Sequence, residues 1–356
     1  MKQPFYKRLV AGAAVFATLA LWACVLSTLV SPSYCRFLGV VGLAFPFFLA
    51  GELLMLALTL LLSQRHAWIP LVGLVACITS IRTYCPVNFS IKPPEGSLKV
   101  LTYNTENFGS AQRDAEGRNR VAAYMAESGA DIVCFQEGST TPPSVFSNEV
   151  LPTVREHLPY FDTVNISNNI LGCFSRFPIV GKQLLCHHLT NGAAVFLLQL
   201  APGDTLRVVN CHLESMHLTP DDRKKYHRMV RAPEESDVDG SSRLLVSKIS
   251  TAAVERSRQA DLVAEYVESQ EGKSLLLCGD FNDSPISYTR RRIARNLTDA
   301  YKATGCGVGR SFNRDAIYVR IDYLMCSRDW KPYACRVDRT AKASDHYPVY
   351  AYFKRR

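Results

Sequence analysis

The stretch LLLCGDFNDSP, residues 275–285, decides how the chain folds. A short apolar run that ends in glycine and turn-forming residues is typical of a buried β-strand. Its polar residues Asp280, Asn282 and Asp283 then fall at the rim of the sheet, where open α/β sheets bind their ligands. The same letters also fit a strand followed by a turn in which Asp and Asn cap the next helix. The rest of the sequence is needed to choose between a ligand-binding sheet rim and a purely structural turn.

The charged residues divide the chain of 356 residues into two parts. Residues 1–85 contain six basic residues and one acid, Glu52, which leaves 35 basic and 31 acidic residues in the remainder. The formal net charge of +9 therefore comes largely from the N-terminal part, and the rest has a net charge of only +4. A net charge of +4 is too small to indicate the concentrated basic face that a nucleic-acid-binding domain carries.

The N-terminal part is apolar enough to cross a membrane. A transmembrane helix needs about 20 predominantly apolar residues. Three runs predict three such helices, at residues 9–30, 38–63 and 67–84. An alternative is a lipoprotein signal around LWAC, residues 21–24, but the apolar run continues beyond it. We therefore predict a transmembrane anchor over residues 1–85, in which Glu52 has an interhelical or interfacial role.

Basic residues near the ends of the spans predict the orientation, because cytoplasmic loops are enriched in Lys and Arg. Three basic residues precede the first run and Arg65 precedes the third, whereas Arg36 alone lies between the first and the second. The N-terminus is therefore expected in the cytoplasm and, after three spans, residues 98–356 outside it. We predict a multi-pass protein of a bacterial inner membrane with an extracytoplasmic C-terminal domain.

A Pro-containing linker, residues 86–97, precedes a soluble α/β domain that we predict over residues 98–356. Apolar runs predict strands at residues 98–103, 131–136, 193–200, 206–212, 274–279, 320–325 and 347–353. Helical spacing of apolar residues predicts helices within 118–128 and 252–269. The PGD segment, residues 202–204, predicts a hairpin. Hairpins mixed with helices indicate two sheets covered by helices.

Polar residues recur where these predicted strands end or begin. Six such places carry a short acid, an amide or an imidazole: Asn104, Glu137, His212, Asp280 with Asn282, Asp322, and Asp345 with His346. Any one of them fits a turn, a cap or a core ion pair, but six together predict one shared site.

The chemistry that these groups can perform is narrow. Glu137 and the amide of Asn104 offer the hard oxygen ligands that Mg²⁺ or Mn²⁺ prefers. Asp280 can orient and deprotonate a water molecule. A carboxylate beside His346 would hold its imidazole in one tautomer. Together these groups indicate metal-assisted hydrolysis of a phosphate ester.

Seven motifs follow one another between residues 98 and 353: TYNTENF, DIVCFQE, GCFSRFPI, NCHLES, GDFND, RIDYLMCS and SDHYPV. In this order the chain resembles the endonuclease/exonuclease/phosphatase superfamily, which includes deoxyribonucleases, sphingomyelinases and inositol polyphosphate 5-phosphatases. The resemblance implies a four-layer, DNase-like sandwich of two mixed β-sheets flanked by helices. The membrane segment lies outside the part that the resemblance covers.

The resemblance also implies a role for each site residue. Glu137 would be the metal ligand with Asn104 beside it, and Asp280 would activate the water. Phosphate would be contacted by His212 and Asn282, and His346 would stabilise or protonate the reacting group. Either Asp322 or Asp345 fits the role of orienting His346; we place Asp322 with the catalytic residues and Asp345 with the metal ligands.

We therefore expect a membrane-anchored phosphohydrolase or phosphodiesterase that uses Mg²⁺, with Mn²⁺ as the second choice of metal. The alternative is a catalytically inactive member of the superfamily that serves as a membrane-bound binding module. The substrate stays open between nucleic acid, a phospholipid head group and a soluble phosphate ester, and no protein partner can be inferred. A basic cluster in residues 223–231 is a further candidate contact for an anionic substrate.

Overall fold

The computed structural model describes residues 4–109, 112–139, 144–216, 218–219, 221–222, 224, 241–314 and 319–356. The helices are α1 (Phe5–Leu26), α2 (Leu38–Val41), α3 (Phe45–Leu62), α4 (Trp68–Ala76), α5 (Ile78–Tyr84), α6 (Arg120–Glu127), α7 (Leu151–Arg155), α8 (Ser241–Ser269), α9 (Tyr288–Ile293) and α10 (Ala300–Thr304). The basic cluster of residues 223–231, apart from Lys224, lies outside the described residues.

The N-terminal helices have the length and apolarity of membrane spans. Two helical stretches, Phe5–Leu29 and Leu38–Leu62, are each long and apolar enough to cross a membrane. A third crossing is possible if Gln64–Ala76 and Ile78–Tyr84, which are bent by 59° at their break, count as one span. Glu52 is fully buried among these helices and accepts a hydrogen bond of 2.7 Å from Thr18 Oγ1. This contact between two helices agrees with the interhelical role expected for that acid.

The first sheet has six strands in the order β11–β12–β1–β2–β4–β3. Its strands are β1 (Leu98–Asn104), β2 (Ile132–Gly138), β3 (Tyr160–Ile166), β4 (Asn169–Ser175), β11 (Trp330–Val337) and β12 (Val349–Arg355). Only β1 and β2 pair in parallel, and the other neighbours run antiparallel. The sheet is therefore mixed.

The second sheet repeats this plan in the order β5–β6–β7–β8–β10–β9. Its strands are β5 (Ile179–His188), β6 (Asn191–Ala201), β7 (Asp204–His212), β8 (Leu275–Asp280), β9 (Thr298–Asp299) and β10 (Asp322–Cys326). Here β7 and β8 form the parallel pair, and the remaining pairs are antiparallel. The hairpin predicted at residues 202–204 joins β6 to β7, with Gly203 at φ +76°.

The two sheets pack face to face and helices cover both outer faces. The central layer is apolar, and it takes Val100 and Cys134 from the first sheet and Phe196 and Leu276 from the second. Helices α6 and α7 pack on the outer face of the first sheet, while α8 and α9 pack on that of the second. Apolar side chains removed from water in all three layers supply the driving force for this arrangement. The predicted four-layer sandwich of two mixed sheets is confirmed.

Candidate active site

The candidate site lies at one edge of the sandwich. The parallel pairs β1/β2 and β7/β8 place four carboxyl ends at this edge. Strands β10 and β12 run antiparallel to these pairs, so both begin at the same edge. The strand register sets His212 and Asp322 on either side of Asp280. All eight residues predicted from the sequence therefore lie at or beside this edge.

Asn104 joins a carboxylate from each sheet. Its Nδ2 lies 2.9 Å from Glu137 Oε1 and 3.0 Å from Asp280 Oδ2. Asn104 and Asp280 are almost fully buried, whereas the Glu137 side chain is 36% exposed. Donation from one amide to both carboxylates offsets part of the repulsion between their charges. The centre of the site is thus an acidic pair held together by a neutral donor.

His212 is buried beside this acidic pair. Its Nε2 lies 3.3 Å from Glu137 Oε1 and 3.1 Å from Asn191 Nδ2. Burial works to raise the pKa of Glu137, but hydrogen bonds from His212 and Asn104 outweigh it and lower that pKa to about 2. Burial likewise works to lower the pKa of His212, but the Glu137 carboxylate outweighs it and raises that pKa. Glu137 therefore carries a full negative charge at neutral pH.

His346 is held between two carboxylates. Its Nδ1 lies 2.9 Å from Asp322 Oδ2, and its Nε2 lies 3.6 Å from Asp280 Oδ2. The edge of the Phe312 ring packs against the imidazole, with ring centroids 5.2 Å apart. Asp322, rather than Asp345, is thus the acid that contacts His346. This contact fixes the direction in which the ring points.

The same contacts change the pKa values of this group. Burial, with a further contribution from the Asp322 carboxylate, raises the pKa of Asp280 to about 6 against the opposing effect of His346 and His212. Burial works to lower the pKa of His346, but the Asp322 and Asp280 carboxylates outweigh it and raise that pKa well above its usual value. Groups with such strongly shifted pKa values cluster at functional sites.

Two of the site residues have a left-handed backbone. Glu137 has φ +57° and Asn282 has φ +52°, a region that costs a non-glycine residue on the order of 1–3 kcal/mol. At Glu137 the pairing of β2 with β4 shifts register between Phe135 and Gly138. At Asn282 the backbone N–H donates to Asp280 Oδ1 at 2.7 Å, which closes a tight turn. GDFND therefore forms the expected turn, and its functional interpretation stays a prediction.

Gly279 allows β8 to approach β7 closely at the site. Its φ is +127°, and a Cβ at this position would lie 1.9 Å from the carbonyl oxygen of Cys211. No side chain fits in that space, since atoms this close overlap strongly. The glycine therefore sets the position of Asp280 relative to His212, which the register places directly opposite.

Asn282 and Asp345 are less central than the other predicted residues. The amide of Asn282 donates to the carbonyl oxygen of Leu213 at 2.9 Å, and the residue is half-buried. The carboxylate of Asp345 lies 3.8 Å from Arg314 Nη1. Among the described residues, Asp345 belongs to neither group of acids and histidines close enough to share an ion. Its role as a metal ligand stays a prediction.

Several residues that support the site were not predicted from the sequence. Asn191 binds both His212 Nε2 and the carbonyl oxygen of Leu213, each at 3.1 Å. Arg256, which is fully buried, donates to Asp283 Oδ2 at 3.1 Å and to the carbonyl oxygen of Glu214 at 2.7 Å. The burial of Arg256 could have been predicted from the sequence, because this residue lies on the apolar stripe of the helix predicted within residues 252–269. No comparable signal marks Asn191.

A polar cavity opens beside the buried part of the site. Its volume is about 460 Å³, and its lining includes Glu137, His212, Asn169, Thr190 and Asn191. The space is large enough for a phosphate group with part of an attached alcohol. A substrate in it would meet amide, hydroxyl and carboxylate groups next to the acidic pair.

The donor set fits a hard divalent cation. Oxygen atoms of Glu137 and Asp280 and a nitrogen of His212 lie within 4.8 Å of one another. Asp280, Asp322 and His346 form a second such group, but there the histidine already binds Asp322. Because Mg²⁺ prefers oxygen ligands, the carboxylates of Glu137 and Asp280 form the better match, with the amide nitrogen of Asn104 beside them.

Solved structures share the fold of this chain. The structure of ANGEL2, a 2′,3′-cyclic phosphatase, in complex with adenosine-2′,3′-vanadate, is 14% identical with a TM-score of 0.51, and the match covers 74% of this chain and 99% of that one. The human Nocturnin catalytic domain with a bound sulfate anion is 16% identical with a TM-score of 0.50, and the match covers 75% and 96% of the two chains. At such low identity these likenesses show the fold alone. A comparison with curated proteins finds no match.

Two family models match different parts of the chain. Residues 7–84 match a domain of unknown function, DUF8431, and this range coincides with the apolar helices. Residues 101–346 match the endonuclease/exonuclease/phosphatase family, and this range is more than half of the chain and contains every predicted site residue. The chain therefore belongs to the endonuclease/exonuclease/phosphatase family.

Proposed function

We propose that this protein is a membrane-anchored, divalent-metal-dependent phosphohydrolase or phosphodiesterase. The observation that carries the proposal is the convergence of Glu137 and Asp280, from different sheets, on Asn104 at 2.9 and 3.0 Å. Two carboxylates, one amide and two buried histidines at the rim of this fold support hydrolysis of a phosphate ester. Membership of the family supports the same reaction class.

Mg²⁺, with Mn²⁺ as the second choice, would be held by Glu137 and Asp280 with Asn104. The metal would polarise a phosphoryl oxygen and offset negative charge that develops during the reaction. Glu137 suits this task because its pKa of about 2 keeps it charged at every physiological pH.

Asp280 would orient the attacking water and accept its proton. His346, directed by Asp322 at 2.9 Å, would donate to the reacting phosphate. His212 and Asn282 would contact its nonbridging oxygens. These assignments keep the roles inferred from the motifs, except that Asp280 takes a second part in holding the metal in place of Asp345.

The contacts of the anchor support three membrane crossings. Gly39 and Gly42, at the N-terminal end of the candidate span Leu38–Leu62, lie against Ala253 and the carbonyl oxygen of Ile286. Thr83, at the end of α5, also contacts the C-terminal domain, through Arg320. If α1 and α3 both cross the bilayer, α3 carries the chain away from the side of the membrane on which the C-terminal domain lies. It must then return along α4 and α5.

With three crossings, the N-terminus and Arg65 lie on the side opposite to the catalytic domain. The positive-inside rule then places the domain outside the cytoplasm. Alkaline phosphatase fused to the C-terminus is expected to be active. Green fluorescent protein fused at the same place is expected not to fluoresce. The reverse result would place the domain in the cytoplasm.

The metal assignment is tested with the full-length chain in detergent. Hydrolysis of bis(4-nitrophenyl) phosphate is expected to stop in EDTA and to return with Mg²⁺ or Mn²⁺. Glu137→Gln should raise the concentration of Mg²⁺ needed for half-maximal rate, whereas the exposed Glu95→Gln should not. Full activity in EDTA would contradict the proposal. Parallel assays on DNA, RNA, sphingomyelin and inositol phosphates would then identify the substrate class.

A further inference from the structure

The membrane anchor is packed against the catalytic domain rather than tethered to it. A Cβ on Gly39 would lie 2.4 Å from the Cβ of Ala253, and a Cβ on Gly42 would lie 2.2 Å from the carbonyl oxygen of Ile286. Both glycines therefore let the segment between α1 and α3 touch the domain directly. Ile286 also belongs to the apolar cluster that the anchor helices form around Leu21.

Polar contacts extend this interface. Ser31 Oγ and Ser33 Oγ lie 3.3 and 3.0 Å from Ser257 Oγ, and Ser257 is fully buried. The linker is held as well, since the amide of Asn88 donates to the carbonyl oxygens of Lys302 and Gly305. The anchor, the linker and the domain thus form one continuous packed unit.

Arg320 is the buried charge at the centre of this interface. It is fully buried, and its guanidinium donates to the carbonyl oxygen of Thr83 at 2.6 Å and to that of Val308 at 2.7 Å. The ring of Tyr301 lies 4.3 Å below the guanidinium, a distance that allows a cation–π contact. One of these partners belongs to the anchor, so the anchor completes the environment of a charge that water cannot reach.

The parts of the domain that the anchor contacts are continuous with the site. Arg320 is two residues before Asp322, and Ile286 is six residues after Asp280. At about 3.5 Å per residue, six residues span at most about 21 Å, so Asp280 lies close to the end of the membrane helices.

The segment that follows Asp280 and the segment around Asp322 are also joined by hydrogen bonds. The N–H of Phe281 donates to the carbonyl oxygen of Ile321 at 2.8 Å. The hydroxyl of Tyr323 lies 2.9 Å from the carbonyl oxygen of Asp283 and 3.0 Å from that of Arg320. A shift of either segment would therefore be transmitted to both Asp280 and Asp322.

We infer that the anchor is a structural part of the catalytic unit, and that Arg320 is the positioning residue through which it aligns Asp280 with the Asp322–His346 pair. This inference rests on the proposed function, because it needs those three residues to take part in the reaction. Docking would hold the site a short distance from the membrane surface, in a fixed orientation. Catalysis would then depend on an intact contact between anchor and domain.

The test compares two single-methyl variants of the full-length chain in lipid nanodiscs. Gly42→Ala places a Cβ against the carbonyl oxygen of Ile286, whereas Gly51→Ala adds the same atom in open space within α3. Amide hydrogen exchange of residues 281–287 reports the docking, and kcat and KM on bis(4-nitrophenyl) phosphate with Mg²⁺ report the alignment. Gly51→Ala should match the wild type in both.

Gly42→Ala is expected to exchange faster in residues 281–287 and to lose at least about tenfold in kcat with little change in KM, since a misplacement of about 1 Å costs on the order of 10²-fold. Arg320→Leu should show the same faster exchange and the same loss of kcat as Gly42→Ala. Arg320→Lys should keep a higher kcat than Arg320→Leu. Faster exchange with unchanged kcat would show that the anchor is only a tether. Unchanged exchange in Gly42→Ala would contradict the docking, whereas a wild type without turnover would count against the proposed function.

Discussion

His346 Nδ1 lies 2.9 Å from Asp322 Oδ2, and both side chains are buried. The sequence left two acids, Asp322 and Asp345, as partners of this histidine. Asp345 is adjacent to it in the chain, but its carboxylate lies near Arg314 instead. The backbone N–H of Asp345 donates to Glu106 Oε2 at 3.0 Å, which also turns this residue away from the imidazole of His346. The first prediction follows from this contact.

Asp322→Asn is expected to lower kcat by at least about 10²-fold, the scale on which a general acid–base group contributes. The amide can accept a hydrogen bond from Nδ1 but cannot stabilise a charged imidazole. Asp345→Asn should cause a smaller loss, because its carboxylate does not touch His346. Steady-state kinetics of the two variants checks this. Equal losses would contradict the assignment of Asp322.

Addition of Mg²⁺ is expected to raise the melting temperature of the wild-type protein. Ligands that bind the native state alone stabilise it, by about 2.7 kcal/mol at a hundredfold excess over Kd. Here the metal would also offset the cost of burying the Asp280 carboxylate, which raises its pKa. Asp280→Asn and Glu137→Gln should lose most of the increase, and Glu95→Gln should keep it. An equal increase in all four proteins would place the metal elsewhere.

Gly279→Ala is expected to destabilise the domain by more than the roughly 1–3 kcal/mol usual for overpacking. The new Cβ would lie 1.9 Å from the carbonyl oxygen of Cys211, so β7 and β8 would have to separate. Gly272→Ala is the matched control, since its φ of +79° carries the same kind of backbone cost but its Cβ would meet no neighbour. Thermal unfolding measures both, and similar losses would refute the steric argument.

Acid is expected to weaken the domain through Asp299. This buried carboxylate binds Arg290 Nη2 at 2.6 Å. Burial works to raise the pKa of Asp299, but Arg290 and then Arg320 outweigh it and lower that pKa. A carboxyl group with a lowered native pKa contributes stability above its unfolded pKa of about 3.9, and that stability is lost as the pH falls through the native value.

Unfolding measured from pH 7 down to pH 3 checks this expectation. The free energy of unfolding of the wild type should fall below about pH 4, the unfolded pKa of an Asp. Asp299→Asn should be less stable at pH 7 by about 3–5 kcal/mol, the usual cost of leaving a buried charge such as Arg290 without its partner. It should also lose part of the acid dependence. An unchanged pH profile in this variant would contradict the role of the pair.

Seven of the eight inner strands could be predicted from the sequence, but none of the four edge strands could. All seven predicted strands are present, and each predicted end lies within two residues of the observed one. Strands β3, β4, β5, β9 and β11 were not predicted. The edge strand β5 shows the reason, because it is largely exposed and has mixed polar and apolar residues. An edge strand need not carry the continuous apolar run by which a buried one is recognised.

The helices differed from their predictions for a similar reason. Helix α8 begins at Ser241 rather than near residue 252, and its first turns mix apolar residues such as Leu245 and Ile249 with Ser and Lys. The third apolar run is not one straight helix but the bent pair α4 and α5. Periodicity locates the packed part of a helix better than its ends.

The members of the site could be predicted, but their partners could not. Six strand ends with polar residues indicated a common edge. The contact of Asn104 with Asp280 joins residues 176 positions apart, and no local pattern carries that information. The left-handed backbone of Glu137 depends on the register shift between β2 and β4, which is a tertiary property.

The most direct test of the central claim is hydrolysis of bis(4-nitrophenyl) phosphate in ¹⁸O-labelled water by the full-length protein with Mg²⁺. Water attack at phosphorus, with Asp280 as the base, predicts ¹⁸O in the 4-nitrophenyl phosphate product and none in 4-nitrophenol. The rate should fall by at least about 10²-fold in Asp280→Asn. Label in 4-nitrophenol, or an undiminished rate in Asp280→Asn, would contradict the account.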